Sequence, residues 1–403
     1  LEEATYVIKL LDSETTSDIL MELDEDNREK VLKNLSAKEI AEEIEELDTD
    51  DAADMIMELP EGRQEEVISK IEDQEHKAEI EELLTYDEDT AGGLMAKELV
   101  KVYETWTVAG CMRRIRGQAK DVTRVHSIYV VDKKEKLIGR LSLKDLIVAK
   151  SAQKIADIAK ENVDYVNVND DAEEVAKIMS KYDLEAIPVV DDNQTLLGRI
   201  TIDDIVDVLK EEAEKDYQLA AGITQDVEAD DSILQLTKAR LPWLFLGLVG
   251  GVGAFLIMEG FQESFKQYAV LFFFTPLIAA MAGNVGVQSS AIIVQGLAND
   301  DVKGSVNSRL IKEMLLATLN GAILALFLFL FVWSTKDKTT AIAISVSLIV
   351  VIIVAGLIGT FVPLFLNKRG IDPAIATGPF ITTSNDIFGI LIYFWIAKLI
   401  LNI

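Results

Sequence analysis

Leu241–Met258 reads LPWLFLGLVGGVGAFLIM and carries no charged side chain. A helix needs ~20 apolar residues to cross the hydrocarbon core of a bilayer, so this run predicts a first membrane span. The chain beyond it repeats the signal. Gln267–Asn299 is free of charge and predicts a second span, tilted or broken, with Pro276, Gly283 and Gly286 inside it. Met314–Thr335 predicts a third span and Thr339–Asn367 a fourth. Pro373–Ala397 predicts a fifth, interrupted by one acid, Asp386. A buried core helix can imitate one such run but hardly five in succession.

The front of the chain is of another kind. Of 68 acids and 39 bases, residues 241–403 hold eight and nine, so residues 1–240 carry 60 acids against 30 bases. That asymmetry argues against nucleic acid as a partner and for cations, although acidic helices also serve plain solubility. A lone cysteine, Cys111, allows no internal disulfide and fits a reducing compartment. His76 and His126 are the only histidines and no Cys-x-x-Cys is present, which disfavours zinc chemistry. The chain opens at Leu1 without a methionine, and no signal peptide is legible. The loop charges orient the spans. With the N-terminus inside, Lys238, Arg240, Lys303, Arg309, Lys312, Lys368 and Arg369 are cytoplasmic, and only Lys266, Lys336, Lys338 and Lys398 lie outside. Five spans then place the C-terminus outside.

An ionised group in mid-span is costly and marks function by default. No span offers a mid-membrane base to pair with Asp386. Thr382 and Gly378 precede it at one-turn intervals and share its face. Pro379 removes a backbone donor and can free carbonyls toward a water-filled path. Thr382-Thr383-Ser384-Asn385-Asp386 is rich in oxygen for such a depth. A hard, reluctantly dehydrated ion such as Mg²⁺ suits those ligands. In the second span, Asn284 and Gln288 lie one turn apart within Gly283–Ser290, where helix packing and a pore lining both remain open readings.

An internal repeat marks the middle of the chain. Ile128-Tyr129-Val130-Val131-Asp132 recurs as Ile187-Pro188-Val189-Val190-Asp191. Leu137-Ile138-Gly139-Arg140 recurs as Leu196-Leu197-Gly198-Arg199 at the same offset. Each unit predicts strand, turn, strand and a helix opened by Ser142/Asp145 or Thr201/Asp204, both variants of the capping box. The pattern resembles a pair of CBS modules, which often bind adenine nucleotides; Asp145 is the ribose-side candidate.

Residues 1–90 predict short acidic helices with turns such as Leu59-Pro60-Glu61-Gly62. Asp48, Asp50, Asp51 and Asp54 are denser than solubility requires, and Asp50 and Asp54, one turn apart, can converge on an ion. Asp203–Leu219 predicts a polar connecting helix with Asp204 and Asp207 on one face and Asp216 further along, followed by an acidic linker at Asp226–Asp231.

This order of parts resembles the MgtE family of magnesium channels over essentially the whole chain. The specific pieces are Ala91-Gly92-Gly93-Leu94-Met95, the Gly283-Asn284-x-Gly286-x-Gln288 of the second span, and Asp372-Pro373 with Thr382-Thr383-x-x-Asp386 around the fifth. The implied fold is multidomain. An acidic α-helical domain (1–90) is followed by an α/β tandem CBS pair (91–150 and 151–205), a connecting helix and linker (206–240), and an all-α, five-span membrane domain (241–403). The resemblance implies a homodimeric, Mg²⁺-selective channel of the cytoplasmic membrane rather than an enzyme. Its pore carboxylate matches Asp386, with Thr382 and Gly378. Its regulatory Mg²⁺ ligands match Asp18, Asp50, Asp54, Glu173, Asp183, Asp204, Asp207 and Asp216. Lys215 stands where members often carry an acid, and Val285 and Val287 replace smaller or more polar residues.

Three rivals compete with a channel. A proton- or Na⁺-coupled exchanger would use Asp386 as the carrier. A membrane-anchored CBS sensor gives no reason for a mid-span acid. An intramembrane aspartyl protease needs two carboxylates sharing a site, and the sequence offers only Asp386 within a span. No Gly-x-x-x-x-Gly-Lys-Ser/Thr phosphate loop is present, in keeping with uptake that needs no ATP.

Overall fold

Short helices of residues 6–83 depend on one another. The structure is a computed structural model; it describes residues 6–403 except Asp24, Lys120, Asp121, Thr123, Asp226, Asp230, Asp300, Asp301, Lys303 and Thr377. The orienting Lys303 and the first linker acid, Asp226, therefore lie outside the described residues. The chain divides into two compact units, Leu1–Glu212 and Ala213–Ile403.

The first unit opens with helices α1 (Ser13–Met21), α2 (Glu25–Leu32), α3 (Ala37–Ile44), α4 (Thr49–Met57), α5 (Glu61–Ile68) and α6 (Gln74–Leu83). None is long enough to be stable alone in water. Side-chain caps close several N-termini: Asp12 accepts from Thr15 N, and Ser36 with Glu39 forms a full capping box. Packing supplies the rest, through fully buried Leu20, Leu32, Ile40, Ile44, Met55, Ile56 and Ile80. One expectation is corrected here. Leu59–Gly62 is no free turn, because Pro60 is the N-cap of α5 and Gly62 lies inside that helix. Proline's fixed φ suits a helix entrance, where a backbone donor is not needed.

The repeat forms two small sheets. Strands β1 (Val100–Tyr103), β2 (Ile128–Val131) and β3 (Leu137–Leu141) make one, with helices α7 (Val108–Gln118) and α8 (Leu143–Val148). Strands β4 (Val166–Asn167), β5 (Ala186–Val190) and β6 (Leu196–Thr201), with α9 (Ala172–Tyr182), make the other. In each, a parallel pair precedes an antiparallel one, and both antiparallel ladders shift register at the same place, Val130/Val131 and Val189/Val190. The parallel strands β1 and β4 are too short to announce themselves in the sequence. The sheets meet where Leu137 N donates to Gln194 O and Leu196 N to Glu135 O, both at 3.0 Å.

The Ala91–Met95 motif ties the helical domain to the second module rather than the first. Ala91 N donates to Asp170 O at 2.8 Å and Gly92 N to Val168 O at 2.9 Å. Ala96 and Arg199 exchange both backbone bonds, at 2.8 and 2.9 Å. A β-carbon on Gly198 would lie 2.6 Å from Ala96 O, so only glycine permits this approach. Helix α10 (Ile202–Ala221) starts directly after β6.

The second unit contains α11 (Ile233–Phe261), a 3₁₀ segment (Lys266–Phe274) leading into α12 (Thr275–Ala298), α13 (Val306–Thr335), α14 (Lys338–Asn367), a 3₁₀ turn (Pro373–Ala376) and α15 (Gly378–Leu401). Among the described residues, five helices are long and apolar enough to cross a membrane. The break expected in the second span falls before Pro276, with non-helical backbone at Tyr268. The fifth helix begins at Gly378, and Pro373 belongs to the separate turn. Helix α13 starts well before its apolar run, capped by Ser305, so Glu313 lies within a span helix. Asp386 is thus not the only acid inside these helices, which corrects the ground on which the protease was set aside.

Helix α14 is the most enclosed and packs on α12, α13 and α15. Residues such as Leu244, Leu248, Leu319 and Phe327 on α11 and α13 point outward, as lipid-facing side chains do. Phe261, Phe265, Phe272, Tyr393 and Phe394 stack into an aromatic cluster, where Tyr393 Oη donates to Leu271 O at 2.9 Å. Gly359 of α14 lies directly against the backbone of Gly286 on α12, the close approach that small residues allow between membrane helices. Gly359→Leu should lower the thermal midpoint in detergent by ~5 °C or more. Gly260→Ala, where a β-carbon would meet nothing, should leave the midpoint unchanged.

Candidate functional site

Glycine shapes the membrane site. Where α12 crosses α15, a β-carbon on Gly283 would stand 3.2 Å from the Thr382 methyl and 3.9 Å from Asp386 Oδ1. Gly286 leaves room for Ile381 and Asn385, and Gly250 of α11 for Thr383. A cavity of about 470 Å³ opens at this crossing, lined by Ala279, Ala280, Gly283, Asn284, Val287, Gln288, Thr382 and Asp386. The helical spacing that put Asn284 and Gln288 on one face thus turns both toward Asp386. A second cavity of about 840 Å³ also reaches Thr382 and Asp386, between α11, α15 and the last turn of α10.

Asp386 is half-buried and has no hydrogen-bond or ion-pair partner among the described residues. Thr382 Oγ1 donates to Gly378 O at 2.9 Å, so that hydroxyl already satisfies the carbonyl that opens the helix. Gly378 has φ of +43°, a conformation glycine adopts freely, and the Ala220 carbonyl is pressed against its α-carbon. Gly222, with φ of +83°, sits against the Pro379 ring. The end of α10 therefore stops at the entrance of the helix that carries Asp386. Asn385 is buried; its Nδ2 donates to Ala282 O at 3.3 Å, which keys α15 against α12.

The first unit holds a second cluster. Asp48, Asp50 and Glu98 bring carboxylate oxygens within 4.8 Å of one another, as do His76, Glu79 and Glu98 with one ligand atom each. Glu98 came from no sequence motif. Both its oxygens accept from Thr49 N at 3.2 Å, and Oε2 accepts from Thr49 Oγ1 at 2.9 Å. Glu98 thereby caps α4 from another segment, since Asp48, at the N-cap position, makes no side-chain cap bond. An anion at a helix N-terminus is favoured by the orphan amides and the dipole. Buried Arg199 pairs with Asp48 at 3.4 Å and donates from Nε to Glu98 O.

Asp204 faces the same acids from the start of α10. Its Oδ2 accepts from Thr201 N at 2.9 Å and from Thr201 Oγ1 at 2.7 Å. Burial and then the neighbouring Asp204 and Asp51 hold Asp50 well above the usual carboxylate range. Asp51 is pushed up to about 6 by burial, then by Asp204 and Asp48. Asp204 is raised as well, chiefly by burial. Asp54 lies one turn from Asp50 and within electrostatic reach of Asp51 and Asp204. The cluster thus gathers Asp50, Asp54 and Asp204 from the expected set and adds Asp48, Asp51 and Glu98.

The remaining candidates are not in that group within a single chain. Asp18 is exposed on α1, and Asp207 and Asp216 are exposed on α10. Glu173 pairs with Lys177 at 2.6 Å. Asp183 ends α9 in the left-handed region, with φ of +50°. Asp145 closes a capping box: its Oδ2 accepts from Ser142 Oγ at 2.7 Å and from Ser142 N at 3.1 Å, which keeps the carboxyl ionised below its ordinary range.

Comparison with known proteins agrees with this architecture. Residues 275–396 match a family described as a divalent cation transporter (MgtE), 1–89 the MgtE intracellular N domain, and 91–152 and 155–211 the CBS domain. A magnesium transporter MgtE from Enterococcus faecalis is 37% identical over 321 residues, covering 79% of this chain and 71% of that protein. One from Thermus thermophilus is 35% identical over 320 residues, with 79% and 71% covered. A crystal structure of the cytosolic domain of the Mg²⁺ channel MgtE in complex with ATP is 39% identical, covers 51% of this chain and 84% of that one, and has a TM-score of 0.49. With that identity spread over most of both full-length relatives, the chain belongs to the MgtE family of magnesium transporters.

Proposed function

We propose that the protein is a Mg²⁺ channel of the cytoplasmic membrane that admits the ion past Asp386 and closes when cytoplasmic Mg²⁺ is plentiful. The observation that carries this reading is a carboxylate inside a span helix, with no protein partner among the described residues, lining a cavity with Thr382 of its own helix and with Asn284 and Gln288 of α12. Such a group is expensive in a membrane unless water or a cation attends it. Mg²⁺ prefers oxygen ligands and keeps several waters. Six waters at ~30 Å³ each fit well within a cavity of about 470 Å³. Ion and shell can thus be held by one carboxylate and amide oxygens without full dehydration. An inside-negative potential drives entry; a divalent ion gains ~4–5 kcal/mol per 100 mV. In a homodimer a second Asp386 would face the same axis.

The cytoplasmic acids supply the sensor. Without Mg²⁺, Asp50, Asp51 and Asp204 repel one another and hold extra protons. A bound divalent cation replaces that repulsion with bridging and draws α4 toward the start of α10. The same helix ends against Gly378 and Pro379, so its position bears on the entrance to α15. Asp18, Glu173, Asp183, Asp207 and Asp216 extend this sensor across surfaces that a second copy of the chain would bring together. Binding shifts the gate only by its differential affinity for the closed form. Adenine nucleotide in the CBS cleft, near Asp145, would act on the same pair of modules.

Flux of Mg²⁺ into liposomes under an imposed potential tests the pathway. Asp386→Ala should abolish it while the protein still folds, since no partner charge is stranded; normal flux in that variant would sink the assignment. Flux that needs a proton or Na⁺ gradient instead would make the protein an exchanger. Neutralising Asp204, Asp207 and Asp216 together should leave a channel that no longer shuts at high internal Mg²⁺, and retained closure would count against the sensor.

The cluster also predicts a pH dependence. An acid whose folded-state pKa lies above its unfolded value binds protons more tightly when folded. Asp51, at about 6 against an ordinary 3.8, is such a group. Without Mg²⁺, stability of the cytoplasmic residues should therefore rise as pH falls from ~7.5 to ~5.5. The Mg²⁺-induced rise in melting temperature should shrink over the same interval, because the cation must displace those protons. Melting curves with and without Mg²⁺ at both pH values would show it; a Mg²⁺ effect that grows at ~5.5 contradicts the reading.

A further inference from the structure

Helix α12 has a carboxylate on each side. Its front carries Asn284 and Gln288 toward Asp386. At ~100° per residue, Ser289 lies on the opposite side of the helix from that face. There Ser289 Oγ donates to Glu313 Oε1 of α13 at 2.6 Å, the length of a charge-assisted bond. Helix α14 leaves room for it: a β-carbon on Gly356 would stand 2.7 Å from the same oxygen. Neither Ser289 nor Glu313 lines either cavity at Asp386. Six residues separate Ser289 from Gly283, which faces Asp386, or ~9 Å along the helix. Glu313 therefore does not share an ion with Asp386.

We infer that Glu313 is a positioning residue of the ion path: it fastens the back of α12 so that Asn284 and Gln288 face Asp386. This rests on the reading that the cavity at Asp386 is the path. Three contacts fix α12 in place. Gly286 packs on Gly359 of α14, Asn385 of α15 holds Ala282 O, and Glu313 of α13 holds Ser289. The first two sit at the level of the cavity. The third fixes the half of α12 beyond it. A polar bond is well suited to that task, since apolar side chains gain little from each other in a medium as apolar as themselves. Glutamate reaches across the interface that Gly356 opens, and its second oxygen can accept a further donor.

Potential-driven Mg²⁺ flux in liposomes separates the outcomes, with Glu313→Gln, Glu313→Ala, Ser289→Ala, the Glu313→Ala/Ser289→Ala pair and Asp386→Asn compared. Gln keeps an acceptor where Ser289 points, so Glu313→Gln should retain most of the wild-type rate. Glu313→Ala and Ser289→Ala should each cut the maximal rate by ~10-fold at little-changed half-saturating Mg²⁺. The pair should be no worse than Glu313→Ala alone, because both remove one bond. Two results would overturn the inference: Glu313→Gln as impaired as Glu313→Ala, which would make the charge itself the working part, or losses that multiply in the pair. If Glu313→Ala fails to fold in detergent, Ser289→Ala and Glu313→Gln still decide. Asp386→Asn keeps the two readings apart. Normal flux in it would refute the path, whereas loss there with full flux in Glu313→Ala and Ser289→Ala would refute the positioning role alone.

Discussion

A carboxylate in the middle of a membrane helix must be attended by something, and at Asp386 the protein offers space rather than a base. Gly283, Gly286 and Gly250 stand where neighbouring side chains would otherwise fill the crossing of α11, α12 and α15. Their absent β-carbons bring the helices close yet leave room in front of the acid. The packing of the whole membrane unit follows from that arrangement. Helix α14 fills the centre, α12 lies on it through Gly286 and Gly359, and the aromatic cluster around Phe394 closes the far end of α15.

The first unit solves a related problem with the opposite means. Its acids are crowded into a partly buried cluster, where burial first and like charge second raise the affinity of Asp50 and Asp51 for protons. Buried Arg199 anchors the cluster through Asp48 and the Glu98 carbonyl, and buried Arg28 acts on Asp51. Two arginines among so many carboxylates do not neutralise the cluster. The antiparallel exchange between Ala96 and Arg199 ties the segment that follows the helical domain to the second CBS module.

Some of the site was legible in local pattern and some was not. Asp386 stood out because charge is rare in an apolar run, and its companions Thr382, Asn284 and Gln288 followed from helical spacing. Asp50 and Asp54 were visible for a similar reason, as a dense run on one short helix. Glu98 was invisible: it lies in an unremarkable stretch, and its role comes from reaching the N-terminus of a helix 49 positions away in sequence. Glu313 was passed over because the apolar run of its helix begins only after it, while the helix itself begins at Val306. The Ala91–Met95 motif was recognised, yet nothing in its composition said that it pairs with the second module.

Hydropathy, charge segregation and the tandem repeat are properties of contiguous residues, so the sequence by itself determined five spans, an acidic front, two CBS-like units and an acid, Asp386, inside an apolar run. Tertiary structure alone decided which acids share a cluster, which carbonyls and hydroxyls are already taken, and which glycines open space in front of Asp386. The physical reason is that each of these depends on two or more distant segments meeting at hydrogen-bonding or van der Waals range. Periodicity fixes the face on which a side chain lies; only the packing of one helix on another fixes what stands opposite it.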